Sequence, residues 1–198
     1  MNIVHRDLKP ENFLFQTEAD DADLKIIDFG LSKIMEGGKL QRMNTRAGTP
    51  YYISPEVLLG NYDVSCDMWS AGCMLYILLC GYPPFYGDDN NEILDMVRSG
   101  VFDFDGEEWD EISEGPKDLI RKLITRPETR LTAEEALQHR WVKQMTRESA
   151  TTTKNTLKKL NISNIKKFHK SERLKQVALT AIAVQSDPNE MQELKEIF

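Results

Sequence analysis

Apolar and polar positions change rhythm several times along this chain, and each change predicts an element. Phe13–Phe15 and Leu24–Ile27 are short apolar runs on either side of a polar, acidic connection from Gln16 to Asp23. Runs of that length bounded by polar residues predict a small β-hairpin. From Gly30 to Pro55 no clear period holds, and Gly37-Gly38 among scattered Lys and Arg predicts a loop. Asp67 to Cys80 is apolar nearly all round, which predicts a helix buried on most sides. Gly81 ends it, and Pro83-Pro84 forbid its continuation. Further helices are expected at about 90–99, 116–125 and 132–139. The last opens with a capping box, Thr132 capping and Glu135 reaching back. Ser149 to Thr156 is Thr-rich, nearly free of apolar residues, and reads as a linker. Beyond it Leu157–Val184 sets apolar residues among basic ones, and Leu194–Phe198 starts another helix. The pattern describes a mainly α body with one small hairpin over residues 1–145, a linker at 146–156, and an amphipathic helical tail at 157–198.

Composition narrows the class. At 198 residues, 40% hydrophobic and 29% charged, the chain has the makeup of a globular domain with a real core. No run approaches the roughly 18 apolar residues of a membrane span. His5, Arg6 and Asp7 also break any signal-like stretch at the start, so the cytoplasm is the expected compartment. Cys66, Cys73 and Cys80 lie seven apart. On a helix that places them on one face about 10 Å apart, beyond the reach of a disulfide. The spacing is equally wrong for a metal site. They read as small apolar residues of a core helix.

The net charge of −7 is uneven: residues 149–198 carry nine Lys/Arg and five Asp/Glu, which leaves the rest of the chain at −11. A body this acidic is a poor partner for nucleic acid. An acidic body with a basic tail suggests instead that the tail folds back.

Three short motifs carry chemistry. His5 to Asn12 reads HRDLKPEN, residues 28–30 read DFG, and residues 54–56 read SPE. A lone DFG would carry little weight. The eight-residue HRDxKxxN, followed in order by DFG and a near-APE triplet, is specific, and on it the chain resembles the protein kinases. The resemblance is to the C-terminal, large lobe of the protein-kinase fold. It continues through Asp67–Gly72 and Arg130 and covers residues 1 to about 143.

The resemblance implies transfer of the ATP γ-phosphate to protein substrates, a reaction that rests on positioning and charge neutralisation. Asp7 would orient the substrate hydroxyl and accept its proton. Lys9 would face the transferring phosphate, and a lysine there marks kinases of serine and threonine. Asn12 and Asp28 would supply hard oxygen ligands to Mg²⁺. Leu14 and Ile27 would form the apolar floor under the adenine, and Thr49 would hydrogen-bond near Asp7 and Lys9. His5 and Phe29 resemble packing residues. Asp67 would tie down the backbone of the catalytic loop, and Glu56 and Arg130 resemble the ion pair that anchors the end of the activation loop. Thr45 sits where many kinases are phosphorylated, with Arg6 available to a phosphate there. Ser54 replaces the alanine of the family triplet, one small residue for another.

Within the kinases, Leu75–Phe85 is similar to the calcium/calmodulin-dependent group. Leu174–Ala183 and Met191–Phe198 resemble the junction segment of calcium-dependent protein kinases. In that family a calmodulin-like EF-hand domain follows, which implies Ca²⁺ regulation. No EF-hand loop occurs in this chain, since Asp88–Asn91 lacks the glycine at loop position 6. Leu157, Leu160, Ile165 and Phe168 stand among Lys158, Lys159, Lys166, Lys167 and Lys170, as in an autoinhibitory, calmodulin-type target segment. Ahead of His5 there is no room for a glycine-rich loop or for the strand lysine and helix glutamate of a working kinase. Two readings stay open. One is a piece of a calcium-dependent Ser/Thr kinase, inactive without its N-lobe and EF-hand domain. The other is a non-catalytic binding module that presents the helical lobe and basic helix. In either case the face toward the missing lobe should be apolar and exposed, which invites dimerisation.

Overall fold

The computed structural model describes residues 3–18, 22–34, 41–42 and 50–151. Strand β1 (Ile3–Val4) leads into the HRD stretch. The hairpin then forms on the two apolar runs: β2 (Phe13–Phe15) pairs antiparallel with β3 (Leu24–Ile26), Phe13 opposite Ile26 and Phe15 opposite Leu24. Two smaller antiparallel ladders accompany it. Strand β4 (Lys33–Ile34) pairs with β1, and β5 (Gln41–Arg42) pairs with β6 (Asn61–Tyr62). Strands two residues long cannot show an alternation, which is why the apolar pattern does not announce them.

Helices dominate from residue 55 onward: α1 (Pro55–Leu58), α2 (Cys66–Cys80), α3 (Asn90–Ser99), α4 (Glu114–Leu123), α5 (Ala133–Gln138) and α6 (Arg140–Thr151). Their ends follow local chemistry. Gly81 closes α2 at φ 90°, a left-handed conformation that costs glycine nothing, and its N–H donates to the Ile77 carbonyl at 2.7 Å. The Asp89 carboxylate caps α3 by accepting from the amides of Asn91 and Glu92. The capping box of α5 is present in both directions, Thr132 Oγ1 accepting from the Glu135 amide and Glu135 from the Thr132 amide. Helix α4 starts two residues before the expected 116, because Pro116 sits in a first turn whose N–H groups have no helical partner anyway. Helix α6 runs through residues 146–151, so the first part of the stretch read as a linker is helical. Residues 152–198, with the expected basic tail and junction segment, lie outside the described residues.

The core is built around α2. Trp69, Cys73, Tyr76, Ile77 and Cys80 are all buried, and only Leu78 of this helix is substantially exposed. Gly72 lets α2 approach the end of α4, since a Cβ there would stand 2.8 Å from Ile124 Cγ1 and 2.9 Å from Leu123 Cβ. Trp69 stacks on Phe85, with ring centroids 5.5 Å apart and planes 5° from parallel. Tyr76 and Phe104 each approach Trp109 to 4.6 Å. A fully buried aromatic such as Phe85 contributes roughly 1.5–3 kcal/mol over leaving it in water. The three cysteines are free and buried on this helix, and burial pushes the Cys80 thiol up to about 12, so they act as apolar residues. No described helix is long and apolar enough to cross a membrane.

Candidate active site

Residues 5–12 join β1 to β2, and their shape is imposed from α2. The Asp67 carboxylate, in the first turn of that helix, accepts from the backbone N–H of His5 at 2.7 Å and of Arg6 at 2.8 Å. Burial raises its pKa, and the two amide hydrogen bonds oppose that rise without cancelling it. Arg6 adopts φ 70° and Asp28 φ 63°. Left-handed backbone outside glycine costs of order 1–3 kcal/mol and persists only where surrounding bonds over-determine it. At Arg6 those bonds are the Asp67 contact, a bond from Nε to the Leu31 carbonyl, and a 2.9 Å bond from Nη1 to the Tyr62 hydroxyl. His5 is buried, its Nε2 lies 3.0 Å from the Ile27 carbonyl, and its ring meets Phe29 edge-on at 5.0 Å.

With the loop so held, three of the expected residues converge. Lys9 Nζ lies 2.7 Å from Asp7 Oδ2. Buried Asn12 donates through Nδ2 to the Asp7 carbonyl at 2.7 Å and to Asp7 Oδ2 at 3.3 Å. Asp7 is therefore a carboxylate oriented by an amide and neutralised by an ammonium. A backbone bond from Ile27 N to Asn12 O, 2.9 Å, sets the start of the DFG stretch beside this loop. Asp28 follows directly, and its Oδ1 accepts from the Gly30 amide at 3.2 Å. The Asn12 side-chain oxygen and the Asp28 carboxylate are the groups here that could hold a cation. That hard-oxygen pair suits Mg²⁺, which is usually held by one or two carboxylates plus water and phosphates. Among the described residues no group of three or more His, Cys, Asp or Glu could hold a metal ion.

Leu14 and Ile27 lie on or beside the hairpin, 51% and 37% exposed, and Phe15, Leu24 and Phe29 nearby are exposed as well, Phe15 and Leu24 as a cross-strand pair on the face opposite Leu14. Thr49 and Thr45 lie outside the described residues. The second anchor is buried in the helical body. Arg130 pairs with Glu56 through two nitrogen–oxygen contacts, Nη1 to Oε1 and Nη2 to Oε2, the latter 3.2 Å. The guanidinium also donates to the Ser65 and Thr125 carbonyls and lies 5.2 Å over the Trp69 ring. Sequence reasoning did not find Tyr62. A buried tyrosine needs a partner for its hydroxyl, but nothing local says that the partner is Arg6.

Comparison with known proteins gives the same frame. The family model described as protein kinase domain matches residues 1–142. Calcium-dependent protein kinase 3 of Plasmodium berghei is 46% identical over 198 residues, all of this chain and 35% of that protein. Calcium-dependent protein kinase 12 of Oryza sativa is 44% identical, again over all of this chain and 36% of the relative. Calcium-dependent protein kinase 25 of Arabidopsis thaliana is 43% identical, with 37% of its length covered. The chain thus spans about a third of the length of these curated relatives.

Proposed function

The chain belongs to the protein kinase family, and from that premise we propose that residues 1–145 are the large lobe of a serine/threonine kinase regulated by calcium. The observation that carries this is the convergence of Asp7, Lys9 and Asn12 on one short loop, with Lys9 Nζ 2.7 Å and Asn12 Nδ2 3.3 Å from the Asp7 carboxylate. Asp7 takes the proton of the substrate serine or threonine as its oxygen attacks the γ-phosphorus and the bond to the β-phosphate oxygen breaks. Asn12 holds that carboxylate in orientation. Lys9 exchanges its contact with Asp7 for one with the transferring phosphate, where its charge offsets what develops. Asn12 and Asp28 would hold Mg²⁺, which supplies neutralisation of the nucleotide phosphates. Leu14 and Ile27 would lie under the adenine of ATP, and Thr49 would complete the substrate side.

The 198 residues contain no G-x-G-x-x-G over the phosphates. On this reading the chain by itself transfers no phosphate and takes the phosphate cradle from an N-lobe that docks on the exposed hairpin face. Without that lobe, the same face pairs with a second copy. The basic segment from Leu157 engages a calmodulin-like EF-hand partner, in keeping with the calcium dependence in the relatives' names, and the protein acts in the cytoplasm.

The test compares the chain alone with a fusion that places the corresponding N-lobe of the Plasmodium berghei relative ahead of it. Transfer of labelled phosphate from Mg-ATP to a serine peptide is measured. The fusion is expected to be active, its Asp7→Asn variant silent, and the chain alone silent. A folded fusion without activity would overturn the kinase reading. Activity of the chain alone, lost with Asp7→Asn, would overturn the claim that it needs another lobe.

A further inference from the structure

Tyr62 is a buried aromatic residue to which the reaction scheme gives no role. It stands on β6, 56 residues along the chain from Arg6, and is 1% exposed. Its hydroxyl accepts from Arg6 Nη1 at 2.9 Å. Arg6 immediately precedes Asp7 and carries the left-handed backbone, φ 70°. A non-glycine residue keeps that conformation only under outside constraint, and each constraint here comes from a different element. Asp67 brings α2 to the backbone N–H, Leu31 brings the residue after the DFG triplet to Nε, and Tyr62 brings β6 to Nη1. The backbone of Tyr62 in turn faces Gln41 of β5 in the ladder, within the stretch from Gly30 to Pro55 read as a loop.

We infer that Tyr62 is a positioning residue for phosphoryl transfer: through its hydroxyl it holds Arg6, and with it the carboxylate of Asp7, and it ties that placement to the β5–β6 ladder. The inference rests on the kinase reading for its catalytic meaning, though not for the contact itself. The phenol is a rigid lever packed in the core, so its oxygen has little freedom to follow a drifting arginine. Loss of the hydroxyl removes one constraint from a strained residue next to the base. Catalytic geometry is sensitive on that scale, a 1 Å misplacement costing on the order of a hundredfold.

Tyr62→Phe keeps the ring and deletes only the oxygen. Tyr76→Phe is the matched control, since Tyr76 is equally buried and its hydroxyl donates to the Asp103 carbonyl at 3.0 Å, within the helical body. In the active fusion, Tyr62→Phe is expected to lower kcat about tenfold with KM for ATP unchanged, while Tyr76→Phe leaves kcat alone. In the 198-residue chain, hydrogen exchange read by mass spectrometry should quicken across residues 3–12 in Tyr62→Phe and not in Tyr76→Phe. Equal kcat values for the two variants, or unchanged exchange over residues 3–12 in Tyr62→Phe, would overturn the inference. A silent wild-type fusion would count against the kinase reading, and the exchange measurement would still decide whether Tyr62 holds the loop.

Discussion

The helical body and the loop-and-hairpin edge are both rich in apolar residues, and they use them in opposite ways. In the body Trp109, Phe85 and Ile120 are fully buried. On the edge Phe15 is 70% exposed, Leu24 52% and Leu14 51%. Among the described residues the two non-glycine positions with left-handed backbone, Arg6 and Asp28, lie on the edge, whereas the positive-φ glycines of α2 and α3 only close helices. The hairpin has little burial of its own, and the loop beside it is held from outside. That loop takes its shape from the body, through Asp67 of α2 and Tyr62 of β6. The edge that carries the candidate site has the strained backbone, and the helical body holds it in place.

Breaking the body should therefore cost most. The Arg130 side chain is wholly buried and that of Glu56 nearly so. Arg130→Ala would leave a buried carboxylate unpaired and two carbonyls short of a donor. The expected loss is about 3–5 kcal/mol, a large share of the roughly 5–15 kcal/mol that holds a domain together. Urea unfolding followed by circular dichroism should show a much earlier midpoint in this variant. A curve that superimposes on wild type would mean that the pair is not the anchor of the body.

The same division explains what could be read from the sequence. Features written in adjacent residues were legible: the hairpin from two apolar runs, α2 from its continuous apolar surface, the α5 start from Thr132 and Glu135. The loop motif was legible for the same reason, since Asp7, Lys9 and Asn12 fall within one eight-residue stretch. What joins distant segments left no local signal. The Arg6–Tyr62 bond spans 56 residues. The Glu56–Arg130 pair spans 74, and only the family resemblance suggested it. The β1–β4 and β5–β6 ladders use strands too short to carry a period. The continuation of α6 to Thr151 has no local signal, since threonine and serine favour caps and turns.

A smaller effect probes the body at its surface. Asp118 Oδ2 meets Lys122 Nζ at 2.7 Å and His139 Nε2 at 2.9 Å, bridging α4 to the start of α6. Lys122 first, then His139, holds its carboxyl below the ordinary 3.8. A carboxylate whose pKa is lower folded than unfolded stabilises the fold above the ordinary value, and that contribution is lost as pH falls through the folded value. The Asp118 side chain is about half exposed, so solvent screening limits its contribution to about 1 kcal/mol or less. Wild type should melt slightly above Asp118→Asn at pH near 7, and the gap should close once the pH falls well below the ordinary carboxylate range. A gap that widens on acidification would contradict the sign.

The smallest change in stability is expected where apolar exposure is greatest. Phe15 is a large aromatic on β2, yet with 70% of its surface open to water it has almost no burial to lose. Phe15→Ser should shift the unfolding free energy by no more than about 0.5 kcal/mol, as surface changes do. Truncating a buried aromatic such as Phe85 to alanine should cost about 3–5 kcal/mol. If a second copy covers the hairpin face in the isolated chain, Phe15→Ser should also lower the apparent mass in sedimentation at high concentration. A large loss of stability in a chain that stays monomeric would mean that Phe15 packs within its own molecule, and the edge would then be part of the body.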